Sequence, residues 1–219
     1  MSHSHNSDEI IQEALSLDGT INKLQNFYAK WASNYDSDVA TEAYTAPNIC
    51  VDLLKTYSSS LLSHTTDLSL LDAGCGTGLI GHVLQSEVDL FQYQIDGFDL
   101  SQEMIEQAKL TNAYRNLASN INLNQPLNHL EGKQYNAVFC CGVFTLGHVP
   151  PHSLKNLFNA TLPDGLVITS TRTRYYEESD YQAVNDQFIA QNVVSLVKVL
   201  KDAPYTSDDN SHYWVYKVM

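Results

Sequence analysis

The segment that most restricts this chain is Leu70-Leu71-Asp72-Ala73-Gly74-Cys75-Gly76-Thr77-Gly78, an apolar run that ends on an acid and breaks into three alternating glycines. A short apolar run bounded by turn residues reads as a strand, and glycine tolerates the backbone angles of a sharp strand-to-helix turn. Such a turn lets the backbone approach a ligand closely, and the next helix aims its unpaired N–H groups at it. A small anionic group fits there. A phosphate and an amino-acid carboxylate both meet that description, so the glycines alone do not choose between them.

The pattern on either side alternates. A helix is expected near Leu79 to Gln85, a strand near Gln94 to Phe98, and a helix opened by Ser101 as N-cap. Further strands are expected at about Leu68 to Asp72, Asn120 to Leu123, Tyr135 to Cys141 and Leu166 to Thr171, with Pro163-Asp164-Gly165 as the turn before the last. The Tyr135 and Leu166 runs are nearly continuous and apolar, as in strands covered on both faces. After a helix near Tyr181 to Gln191, the β-branched run Val193 to Leu200 is read as a strand that pairs antiparallel with Tyr213 to Val218. The expected fold class is therefore α/β, a Rossmann-like doubly wound seven-stranded sheet, mostly parallel with an antiparallel C-terminal hairpin. Helical spacing at Ile10 to Leu15 and Ile21 to Trp31, and a helix starting at Pro47 and running towards Leu62, precede it. This divides the chain into an N-terminal helical extension over residues 1–60 and a core over 61–219.

With 219 residues and 43% hydrophobic content the chain can bury one substantial core. A formal charge of −13 would repel a phosphate backbone, which argues against nucleic acid as partner. Arg172 and Arg174 are close neighbours that could bind an acidic ligand or simply pair with surface carboxylates. No window approaches the length of a membrane span, and Met1 to Ser7 lacks a basic-then-apolar leader, so a cytoplasmic protein, with the nucleus as a second location, is expected. Cys50, Cys75, Cys140 and Cys141 lack zinc-site spacing and are expected to be reduced, with no metal bound; His3 and His5 read as a solvated tail.

Gly76-Thr77-Gly78-Leu79-Ile80-Gly81 also matches the G-x-G-x-x-G dinucleotide fingerprint, with Asp99 at the end of the next strand. Three points weigh against an NAD(P)-binding protein. An acid precedes the first glycine by two residues, the glycines begin one step earlier at Gly74, and little chain remains for a substrate domain. A Tyr-x-x-x-Lys pair, Tyr213 and Lys217, falls in the last expected strand and not on a mid-chain helix.

Asp72-Ala-Gly-Cys-Gly-Thr-Gly78 followed by Asp99-Leu-Ser-x-x-Met104 resembles the first motifs of class I S-adenosylmethionine (SAM)-dependent methyltransferases, and the likeness extends over roughly residues 25 to 175 in order and spacing. Trp31 to Ala40, Tyr44-x-Ala46-Pro47 and Gly165 to Thr173 resemble more narrowly the methyltransferase-like group of the Williams–Beuren region. One departure is Asn136, where the related Tyr-Asp-x-Val segment carries Asp; it starts a strand at the end away from the cofactor, so the change should bear on packing.

The resemblance implies SAM as cofactor, with its methionine carboxylate at the turn of Asp72, Gly74, Cys75, Gly76 and Gly78. It implies that Asp99 accepts from both ribose hydroxyls, with Leu100 and Met104 beside the adenine and Cys141 at the end of the fourth strand. The extension would form a lid over the cofactor, with Trp31 and Tyr35 touching it; Tyr28, Trp31 and Tyr35 are spaced to share a helix face, which is also how a core stripe looks. His148 is the candidate general base, because imidazole titrates near neutral pH; a solvated or capping histidine is the bland alternative. The expected acceptor is a small molecule, with a protein acceptor as second option, used by a monomer or weak homodimer. A SAM-binding regulatory protein without turnover is the competing function.

Overall fold

The computed structural model describes residues 10–14, 16–59, 67–87, 92–130 and 132–219. His3, His5 and the stretch towards Leu62 lie outside the described residues. Three N-terminal helices, α1 (Ile21–Trp31), α2 (Tyr35–Thr41) and α3 (Ala46–Tyr57), lead into β1 (Asp67–Ala73), α4 (Leu79–Glu87), β2 (Gln92–Phe98), α5 (Gln102–Leu110) and β3 (Asn116–Ala118). Then come β4 (Tyr135–Phe144), α6 (Leu154–Asn159), β5 (Thr161–Arg172), α7 (Thr173–Glu178), α8 (Tyr181–Ala190), β6 (Val194–Pro204) and β7 (Asn210–Val218).

Among the described residues, seven strands pair in the order β3-β2-β1-β4-β5-β7-β6. β1 pairs with β2 and β4, β2 with β3, and β4 with β5, all parallel; β7 is antiparallel to both β5 and β6. This is the expected sheet, hairpin included. The insertion of an antiparallel β7 between β5 and β6 also separates it from the 3-2-1-4-5-6 order of classical dinucleotide-binding sheets.

Alternation along the central strands sends successive side chains to opposite faces. Leu70, Ala137, Phe139 and Ile168 pack with Cys50, Val51 and Leu54 of α3 and Ile80 and Leu84 of α4. Leu71, Val138, Cys140 and Val167 pack on the other face with Leu154, Leu157 and Phe158 of α6, Tyr181 of α8, and Trp214. A fully covered leucine contributes roughly 1.5–3 kcal/mol, so these two layers hold the sheet. The sequence assigned α3 to the extension, yet its Cys50, Val51 and Leu54 are fully buried against the sheet. Only the elements before it form a separate small cluster, centred on Ala14, Phe27 and Trp31.

One expected strand is misplaced. Pairing with β2 occurs at Asn116–Ala118, and residues 120–123 are loop. Asp99 N–H donates to Ala118 O (3.0 Å), and the chain then turns at Asn120, whose φ is +59°, so that Ile121 N–H bonds back to Asp99 O (3.1 Å). Ile121 and Leu123 are apolar because they pack against one face of the core. Asn136 accepts from Ser69 N–H (2.8 Å), tying the starts of β4 and β1 together, a structural use of the position that departs from the family pattern.

Candidate functional site

The carboxyl ends of β1, β2 and β4 open onto one cavity, with about 780 Å³ of atom-free space partly open to solvent. Gly74 and Gly76 form one wall. Gly74 N–H and Cys75 N–H both donate to Phe98 O (2.8 and 2.9 Å), which locks the turn across to β2. Gly74 has φ +75°, and a Cβ there would lie 2.5 Å from Val143 Cγ2, so both its conformation and its neighbour require glycine. Gly78 lines neither this cavity nor the recess below the turn. A Cβ on it would meet the Ala108 Cα at 3.2 Å, so it serves the close packing of the turn on α5.

Asp99 stands opposite the turn on the cavity wall. Its Oδ2 accepts from Gly76 N–H (2.9 Å) and its Oδ1 from Ser101 N–H (2.8 Å). Ser101 is the expected N-cap, its Oγ accepting from Met104 N–H (3.2 Å), while its backbone N–H engages Asp99. Each carboxylate oxygen retains a further acceptor site for a ligand hydroxyl. Burial pushes the Asp99 carboxyl up from its usual range, against the backbone hydrogen bonds from Ser101 and Gly76. Leu100, Met104, Ile121 and Leu123 supply an apolar slot beside it.

Asp72, Cys75 and Thr77 line a smaller recess beneath the turn, which shares Gly74, Gly76, Tyr35 and Cys141 with the main cavity. Asp72 Oδ2 accepts from Tyr114 O–H (2.7 Å), and the same hydroxyl accepts from Gly81 N–H (3.2 Å). Burial raises the Asp72 carboxyl to about 7, opposed by the Tyr114 hydrogen bond and assisted by the charge of Asp99. No local signal marks Tyr114 for this role, since it lies 42 residues away.

The cover comes from the N-terminal helices. Ile21, Leu24 and Tyr28 of α1, with Tyr35, close the cavity from above. Side-chain bonds fasten them: Gln25 Nε2 donates to Leu100 O (3.2 Å) and Asn120 Oδ1 (3.3 Å), Thr77 Oγ1 to Asp36 Oδ1 (2.5 Å), and Tyr28 O–H to His148 Nε2 (2.8 Å). Tyr28 and Trp31 stack with centroids 6.1 Å apart, and Trp31 meets Tyr35 at 4.7 Å, although a turn at residues 32–34 places Tyr35 on its own helix. Trp31 stands behind this wall, its Nε1 donating to Asp38 Oδ2 (2.8 Å), and it lines a separate cavity beyond His148.

His148 lines both cavities. Its Nδ1 faces Leu146 O at 2.9 Å, a pure acceptor, so Nδ1 carries the proton and Nε2 is the acceptor of the Tyr28 hydroxyl. Burial, with the charge of Arg172, holds its pKa below the usual value, against the Leu146 bond. Of the two arginines, Arg174 pairs with Glu178 on the surface (2.7 Å), whereas Arg172 is nearly buried, 2.9 Å from Asp209 Oδ2. Sequence reasoning passed over Asn122, Asn124 and Val149 on the main wall, and Gln25, which fastens the cover to Leu100.

Among the described residues, no helix is long and apolar enough to cross a membrane. A family model described as a methyltransferase domain matches residues 64–215. Human methyltransferase-like protein 27 is 37% identical over 148 residues, 68% of this chain and 57% of that protein, so the chain spans little more than half the relative's length. The magnesium protoporphyrin IX methyltransferase of Synechocystis PCC 6803, solved with bound SAH (S-adenosylhomocysteine), superposes with a TM-score of 0.56 at 17% identity, covering 79% of this chain and 83% of that one. DhpI in complex with SAH gives 0.58 at 16% identity, covering 91% and 97%. At such identities these likenesses concern the fold alone. From the matched domain and the sheet order together, the chain belongs to the methyltransferase domain family and has the class I methyltransferase fold.

Proposed function

We propose that this chain transfers a methyl group from SAM to a small-molecule acceptor. The observation that carries the reading is the pairing, in one covered cavity, of a half-buried carboxylate, Asp99, with the backbone wall of Gly74 and Gly76 and an apolar slot between them and the cover. This donor set fits SAM. Asp99 would take the ribose hydroxyls, Leu100 and Met104 the adenine, and the turn, with Tyr35 above it, the amino-acid end. The bound cofactor supplies a methyl carbon already activated by positive sulfur, so the protein has mainly to position, desolvate and, for a protonated acceptor, remove a proton.

The chain's residues divide those tasks. Tyr28, Leu24 and Ile21 exclude water from above. Cys141, Gly142 and Val143 line the cavity at the end of β4. His148 is neutral near pH 7 and accepts at Nε2, so it can take a proton once Tyr28 yields that bond or relays the proton through its own hydroxyl.

Calorimetry on the full chain tests the cofactor half: micromolar-range binding of SAM is expected, with Asp99→Ala weakening it about 100-fold through lost charge-assisted hydrogen bonds. No binding by the wild type would overturn the reading. Methyl transfer from labelled SAM into fractionated cell extract then separates an enzyme from a SAM-binding regulatory protein: a labelled product lost in Asp99→Ala supports turnover, and a labelled polypeptide would move the acceptor class to protein.

A further inference from the structure

Behind the Tyr28–His148 bond lies a second cavity of about 490 Å³ of atom-free space, which shares Tyr28, Tyr35, Gly142 and His148 with the first. Two features distinguish it. Its walls are rich in aromatic side chains, with Tyr44 and Tyr205 meeting at 4.9 Å between centroids. It also contains Arg172, whose side chain is 13% exposed. In a chain of net charge −13, a nearly buried guanidinium next to the cofactor cavity is not accounted for by surface charge balance.

We propose that this second cavity is the acceptor pocket and that it takes a small organic acid with a flat or apolar body, its carboxylate held by Arg172. The inference rests on the methyltransferase reading for the word acceptor; the acid-binding site stands on its own geometry.

The position of Arg172 at the end of β5 supports this. The Tyr205 ring lies under the guanidinium, 4.8 Å from Cζ to the centroid, and Asp209 Oδ2 approaches Nη1 at 2.9 Å. Stacking and one carboxylate fix the plane of the group but use only part of a fork of five donors, which suits a second, bidentate carboxylate. Arg172 keeps its proton at any relevant pH. Glu42 also lines the cavity and His148 is neutral there, so Arg172 is its fixed positive charge. Tyr44, Tyr205, Tyr35 and Trp31 line the rest of the cavity with aromatic side chains. The shared wall at Gly142 and His148 is where the two cavities meet, so an acid anchored at Arg172 would extend its other end towards the cofactor.

The test titrates the full chain, in the presence of saturating S-adenosylhomocysteine, with 3-phenylpropionate and with its neutral amide, followed by calorimetry. The acid should bind at least about 10-fold more tightly than the amide, and Arg172→Gln should weaken it about 10- to 100-fold while leaving S-adenosylhomocysteine affinity within about twofold. Because Arg172→Gln could perturb the fold, Asp209→Asn provides the opposite sign: removing the competing carboxylate should tighten acid binding about threefold or more. Equal binding of acid and amide, no binding of either, or an unchanged affinity in both variants would overturn the proposal. Failure of S-adenosylhomocysteine itself to bind would instead sink the methyltransferase reading, and the contrast between acid and amide would still report on the pocket.

Discussion

The floor and the cover of the main cavity are held in different ways. On the floor, the positions are set by backbone: Gly74 and Cys75 N–H groups converge on Phe98 O, and Asp99 accepts from two backbone N–H groups. On the cover, side-chain bonds at Gln25, Tyr28 and Asp36 hold the helices down. Backbone bonds belong to the sheet and break only when the sheet opens, whereas side-chain bonds can break singly at about 0.5–1.5 kcal/mol each. The floor is therefore part of the folded core, and we propose that the cover is a separable layer through which ligands enter.

Substitutions on the two layers should separate accordingly. Gly74→Ala combines a left-handed backbone with a Cβ at 2.5 Å from Val143, and should cost roughly 2–4 kcal/mol in chemical denaturation and abolish SAM binding. A stable Gly74→Ala protein that binds SAM normally would remove the distinction between the layers.

Asp72 offers a pH-dependent version of the same test. Its carboxyl titrates at about 7 in the fold and near 3.8 when exposed. Below about pH 4 both states are protonated; between about 4 and 7 the folded state keeps a proton that the unfolded state has lost, so stability falls as pH rises, and above 7 the penalty is constant. Asp72→Asn should remove this slope. The stability of the variant, followed by its thermal midpoint, should gain on the wild type from pH 5 to pH 8, by on the order of a few kcal/mol at most. Parallel midpoints at all pH values would show that Asp72 is not destabilised by its surroundings.

On the cover, the expected effects are smaller and act on ligand and not on fold. Tyr28→Phe should weaken SAM about 3- to 10-fold, chiefly through faster dissociation, with little change in melting temperature. Thr77→Val, which removes the bond to Asp36 while keeping a β-branched shape, should weaken it only about twofold. If either variant melted as early as Gly74→Ala, the cover would have to be counted with the core.

The same contrast explains what could be read from the residues. The floor is local in sequence: the acid, three glycines and the next acid, Asp99, lie within thirty residues, and alternation located six of the seven strands. β3 escaped because three residues cannot display a period, and the apolar Ile121 and Leu123 beyond it imitated a strand while serving the core. The cover and the second cavity depend on distant partners. Tyr28 finds His148 across 120 positions, and Tyr205, on the turn between β6 and β7, reaches Tyr44 and Arg172. Trp31 and Tyr35 were readable as a stripe, but which of them faces the cavity depends on a turn at 32–34, which the helical spacing hid although Ser33 and Asn34 are turn-forming residues.

β7 follows β6 in the chain but lies between β6 and β5, and it is the partner of both. During synthesis, β6 would emerge with no strand to join, and its half-exposed Leu196 and Val197 would wait in solution until residues 210–218 arrived. β5, which carries Arg172, would have an unpaired edge for the same interval. At about 5–20 residues per second this window is brief, but it is the period in which a nascent chain is most open to strand exchange with a neighbour, and a chaperone acting on this fold would find its target there.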